Sequence, residues 1–119
     1  MDRLSGVEGL DAESALRHAG GRPQTLERVL RQFLATYRDG EPALLIGASD
    51  DAIVRWRRAC HSLRGVCATV GALALLRSLQ AFEHAMAAQA DDPALAAQAR
   101  DLDEDLRGLV SRIDAAIKG

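Results

Sequence analysis

Apolar residues spaced alternately three and four apart constrain this chain more than any other feature. From position 53 to 70 they run Ile53, Trp56, Cys60, Leu63, Cys67 and Val70. That spacing matches the helical repeat, so it predicts an amphipathic helix with one buried seam and a solvated opposite face. The pattern recurs in three further stretches. One is Leu26, Val29, Leu30, Phe33, Leu34 and Tyr37; another is Leu75, Leu76, Leu79, Phe82 and Met86. The last is Leu95, Ala99, Leu102, Leu106, Leu109, Ile113 and Ala116.

Punctuation between the stretches agrees with helix ends. Asp11 is placed to cap a short helix over Ala12 to Ala19, which Gly20 and Gly21 stop. Pro23 suits the first position of the next helix. Gly40 and Pro42 interrupt the second helix before Leu44 to Ile46, which is either its continuation after a kink or a separate turn. The third helix is predicted to begin near Ser49, with Asp50 and Asp51 in a first turn where the helix dipole favours acids. Gly71 marks the next junction, a fourth helix spans about Ala72 to Ala90, and Asp92-Pro93 starts the fifth. Four long amphipathic helices with short connections predict an all-α fold: an antiparallel four-helix bundle with a short accessory N-terminal helix. At 119 residues one domain over 1–119 is expected, with 1–10 as a flexible leader.

Composition narrows the function. Aromatic residues are only 3% of the chain, and alanine and leucine dominate the apolar share, which favours helix over sheet. The net charge of −2 offers no global attraction for a polyanion, so nucleic acid is not an expected partner. Cys60 and Cys67 on one helix would have Cα atoms about 10.5 Å apart. That exceeds the roughly 7 Å reach of a disulfide, so two free thiols and a reducing, cytoplasmic setting are expected. Met1 to Leu10 lacks the apolar core of a signal peptide, and no apolar run approaches the roughly 20 residues of a membrane span. No direct membrane contact is expected.

The chemistry-bearing segment is His61-Ser62-Leu63-Arg64-Gly65. With the seam directed inward, His61 lies about 100° around the helix from Cys60 and faces solvent. Its neighbours at three and four residues are Arg57, Arg58, Arg64 and Gly65, with Ala68 one heptad on. A glycine in mid-helix costs about 1 kcal/mol relative to alanine, which an exposed face has no reason to bear. Close approach by another protein would supply a reason. A neutral imidazole is a competent nucleophile near pH 7. A phosphoryl group on it would draw charge-assisted hydrogen bonds from Arg64. No nucleotide-binding loop is present, so the group would have to arrive from a partner.

The segment Cys60 to Ala72 resembles the signature of histidine-containing phosphotransfer (HPt) domains, which read Ala-His-Ser/Thr-Leu-Lys-Gly, some small residues, then Gly-Ala opening the next helix. The resemblance extends through Leu16 to Gly21, Leu26 to Phe33 and the helix after Asp92-Pro93. It implies a phosphoryl carrier without kinase activity that passes the group between aspartates of response-regulator receiver domains. By that resemblance His61 matches the phosphoacceptor, Arg64 the residue that compensates phosphate charge, and Gly65 the small residue that admits the receiver. No cofactor of its own is implied; magnesium belongs to the partner receiver. The departures are arginine for the commoner lysine at 64, Thr69 where asparagine is frequent, and Arg22 where an acidic cap is frequent.

Plainer readings stand beside these. Arg57 is either a phosphate or partner contact or part of a solvated face. Val54, one heptad before His61, is either a docking contact or a peripheral core residue. His18 and His84 read as surface or boundary residues. Metal ligation by Cys60, His61 and Cys67 is disfavoured, because the seam turns the thiols away from the imidazole.

Two other functions compete with the carrier: a non-transferring helical interaction module of the same fold, and the dimeric phosphoacceptor helix pair of a histidine kinase. The carrier is expected to be monomeric as an isolated domain. It would be free-standing or the cytoplasmic module of a membrane-anchored hybrid sensor kinase, and the short leader and compact ending favour the module.

Overall fold

The computed structural model of the chain describes residues 2–118. Its helices are α1 (Asp2–Ser5), α2 (Ala12–His18), α3 (Pro23–Tyr37), α4 (Ala52–Val70), α5 (Leu73–Ala88) and α6 (Ala94–Lys118). A 3₁₀ turn, Pro42–Leu45, links α3 to α4, and no strand occurs among the described residues. Each of the four long helices packs on two others: α3 on α4 and α6, α5 on α4 and α6. The longest extent is 43 Å. Helix α6 accounts for most of it, since its 25 residues rise about 37 Å.

The boundaries follow the local chemistry. Asp11 Oδ1 accepts from Ser14 N at 3.0 Å, which caps α2. Pro23 opens α3, whose N-cap Arg22 makes no side-chain capping bond. Gly71 ends α4 at φ 77°, and a Cβ there would collide with the Asp11 carbonyl. Asp11 N donates to Gly71 O at 2.7 Å, so the cap of α2 is pinned to the α4–α5 junction. Asp92 Oδ1 accepts from Ala94 N at 2.9 Å and starts α6.

The core is continuous. Trp56 of α4 and Phe82 of α5 meet with ring centroids 5.8 Å apart and planes tilted by 59°. The indole Nε1 is buried without an acceptor among the described residues, a penalty of about 1–3 kcal/mol that the packing of the ring must offset. Cys60 and Cys67 are fully buried and unbridged. Burial pushes both thiols up to about 12; for Cys60 the nearby Glu83 charge adds to the effect and Arg64 opposes it.

Three features depart from the sequence reading. The leader is not a loose tail where it is described: α1 packs on α6 and α2, and Leu4, Val7 and Leu10 are buried. Apolar residues at 4, 7 and 10 cover the end of the bundle and remove it from water. Asp50 and Asp51 precede α4 rather than forming its first turn. Asp51 Oδ1 accepts from Ser49 Oγ at 2.9 Å, and Ala52 N bonds to Ser49 O, so the segment closes as a turn. Finally, Ile53 is half-buried, and Ala52 and Ala59 take places in the core.

A buried carboxylate organises the interruption after α3. Asp103 of α6 is fully buried and accepts from Glu41 N at 2.6 Å, with Arg107 Nε 3.0 Å from its other oxygen. Gly40, at φ 78°, leaves space that the Asp103 carboxylate occupies. The chain must turn here because α3 and the 3₁₀ turn both anchor to α6, and Leu44 is buried at that junction.

Asp103→Ala strands the Glu41 amide, so a loss of about 1–3 kcal/mol is expected in urea unfolding; an unchanged midpoint would remove Asp103 from this role. Stability is also expected to fall at alkaline pH. Unfolded thiols ionise near 9.0 whereas Cys60 and Cys67 ionise at about 12, so the stabilisation is complete below pH 9 and is lost as pH rises toward 12. The slope approaches about 1.4 kcal/mol per pH unit for each thiol. Urea titrations at pH 7, 9 and 10 in reductant check this, and a flat profile would contradict it.

Candidate functional site

Helix α4 builds the site by what it hides. Ala52, Trp56, Ala59, Cys60, Leu63, Cys67 and Val70 are buried. At about 100° per residue, His61 must then project from the opposite face. It is exposed, as are Ser62 and Gly65 beside it. Among the described residues no hydrogen bond or ion pair engages the His61 side chain.

Gly65 has no internal steric reason to be glycine. A Cβ built there meets nothing within 4 Å, and its backbone conformation is one that any residue adopts in a helix. The residue borders a groove of about 670 Å³ between α3 and α4, lined largely by Val29, Phe33, Val66 and Val70, with Arg28 and Ser62 among its polar groups. Thr69 Oγ1 donates to Gly65 O at 3.0 Å, so the hydroxyl is spent on its own helix. Ala68 is half-buried, and Val54 is 48% exposed, which removes it from the core.

The charges divide between the two flanks of His61. Arg64 leans toward α5, where its Nε lies 3.1 Å from Glu83 Oε1 as an ion pair without hydrogen-bond alignment. Arg55, Arg57 and Arg58 are exposed and form no ion pair among the described residues. No aspartate or glutamate occurs within Ala52–Val70, so the outer face of α4 carries cations without acids of its own, and Glu41 is the acid that lines a hollow with Arg55 and Arg58. His18 and His84 are both exposed and lie on other helices, and the His18 Nδ1 is 2.9 Å from Ser14 O.

The structure thus brings Val54, Arg57, His61, Gly65 and Ala68 onto one outward stripe, and draws Arg64 to its edge. Sequence reading missed Glu83 and Arg28. Glu83 follows the core residue Phe82, which places it on the rim of α5, but no sequence signal says which helix that rim meets. The absence of acids between 52 and 70 was legible and marks the arginines as more than a mixed solvated surface. Among the described residues no group of three or more His, Cys, Asp or Glu could hold a metal ion, and no helix is long and apolar enough to cross a membrane. Comparison with known protein families, curated proteins and solved structures finds no match.

Gly65→Ala is expected to raise stability by about 0.5–1 kcal/mol, because it improves helix propensity without touching anything. Urea unfolding measures it. A destabilised variant would mean the fold itself requires glycine at 65.

Proposed function

We propose that this protein is a phosphorelay carrier of the HPt type, with the antiparallel four-helix bundle and accessory α2 cap that such domains have. His61 takes a phosphoryl group from the phosphoaspartate of one receiver domain and yields it to the aspartate of another. The observation that carries this reading is the open approach at Gly65. A destabilising residue stands beside an exposed imidazole, and nothing inside the protein accounts for it.

The chemistry requires little from the carrier. A lone pair of neutral His61 forms the N–P bond while the P–O bond to the aspartate breaks, and the aspartate leaves as a carboxylate. The imidazole keeps the proton on its other nitrogen. Transfer onward reverses these steps with a new carboxylate as nucleophile. Magnesium and the acidic pocket of the receiver supply most of the charge stabilisation. Helix α4 contributes arginines that attract that acidic pocket, and Arg57 and Arg58 remain unpaired to do so. Gly65, Ala68 and the half-exposed Val54 leave room for the receiver surface beside the imidazole.

The reading carries further proposals with it. The domain works as a monomer, in the cytoplasm, either alone or as a module of a hybrid sensor kinase. It has no kinase activity and needs no cofactor of its own. A non-transferring interaction module would use the same α3–α4 groove, and the occupation of Arg64 by Glu83 is the observation that favours it.

Incubation with a radiolabelled phosphoreceiver and magnesium separates the two. Acid-labile, base-stable label on the wild type and none on His61→Gln is the expected outcome. Gly65→Met should fold normally yet slow labelling at least tenfold, since its side chain fills the approach. Wild type that stays unlabelled with its genomic-neighbour receivers, or equal label on His61→Gln, would end the assignment to His61.

A further inference from the structure

One of the three cations within a turn of His61 on its own helix is already engaged. Arg64, one turn on, lies 3.1 Å from Glu83 of α5, with side chains 41% and 28% exposed. Every other arginine of α4 is without an anion among the described residues. The pairing therefore engages one of the three cations within a turn of the candidate phosphoacceptor, Arg64, and leaves Arg57 and Arg58 free of ion pairs among the described residues.

We infer that Glu83 is a positioning residue that competes with the phosphoryl group for Arg64 and so biases the carrier toward giving the group away. The inference rests on the carrier reading above. In the unmodified protein Glu83 draws Arg64 to the α5 flank. A phosphoryl group on His61 brings up to about two negative charges and several acceptor oxygens within reach of the same guanidinium.

The contacting Nε and Oε1 atoms are shielded from water, but both side chains are partly exposed and the pair has no hydrogen-bond alignment, so Arg64 can exchange partners. Exchange leaves Glu83 as an uncompensated carboxylate near a dianion. Both the broken pair and the new repulsion raise the free energy of the phosphorylated form. A relay intermediate benefits from this, because a carrier that bound its phosphoryl group too firmly would not pass it on.

The test is a partition equilibrium. Labelled phosphoreceiver and carrier are mixed with magnesium, and the ratio of phosphocarrier to phosphoreceiver is read at steady state. Glu83→Gln keeps the side-chain shape and removes the charge. It is expected to raise the ratio about two- to fivefold, the range of a half-exposed pair. Arg64→Ala should lower the ratio, and in that background Glu83→Gln should have a smaller effect, because the competition is gone.

A ratio unchanged or lowered in Glu83→Gln, or an equal gain in both backgrounds, overturns the inference while leaving the carrier reading intact. Wild type that takes no label at His61 overturns both. A purely structural Glu83 would shift the melting temperature without moving the partition. If Glu83→Gln is unfolded at the assay temperature, Glu83→Met provides the same release of Arg64 and the same expected gain.

Discussion

Helix α4 buries Trp56, Cys60, Leu63, Cys67 and Val70 between α3 and α5, and that burial leaves His61 no direction but outward. A rotation of α4 that buried the imidazole would expose the indole and two thiols to water, at a cost of several kcal/mol. The hydrophobic seam therefore does two things at once. It ties α4 to its neighbours, and it sets the register in which Val54, Arg57, His61, Gly65 and Ala68 share one exposed stripe. The arrest at Gly71 completes this arrangement. Its left-handed conformation ends α4 where Asp11 closes on it, so the helix is held at its end as well as along its side.

Two of the carboxylate–arginine pairs, Asp103–Arg107 and Glu83–Arg64, are close in length and opposite in consequence. Asp103 is fully buried and also accepts from the Glu41 amide, so its partner Arg107 completes a compact knot around the turn after α3. Glu83 and Arg64 are partly exposed side chains, although their contacting atoms are shielded, and like the Arg107 contact the pair is not aligned for a hydrogen bond. The first pair can be broken only by stranding a buried charge. The second joins two partly exposed side chains and no further partner, so it is the easier of the two to open. Location in the dielectric, and not distance, separates a structural pair from a labile one.

Much of the fold was legible because periodicity and caps are local signals. The spacing of Leu26 to Tyr37, Ile53 to Val70 and Leu95 to Ala116 gave helices whose ends match to within a few residues. Asp11, Pro23, Gly71 and Asp92 each marked the boundary that their chemistry implies. Errors arose where a competing local turn or a tertiary neighbour overrode the helical signal. Asp51 reads as a helix-dipole acid but is claimed by Ser49 in a turn. The leader reads as a tail, yet Leu4, Val7 and Leu10 find an apolar surface that no short window can reveal. Asp103 carries no signal in the sequence, because its burial depends on a turn 62 residues away.

The candidate site divides in the same way. Sequence alone determined that His61, Arg57, Gly65 and Ala68 share a face, because helical geometry fixes angles between residues on one helix. It also determined that both cysteines point inward and that α4 carries cations without acids. Only the tertiary structure decided that Arg64 meets Glu83, that Val54 stands clear of the core, and that Gly65 opens onto a groove shared with α3. Those outcomes depend on which helix lies beside which and at what rotation. They are set by the summed packing of four seams, a quantity that no single segment of the chain contains.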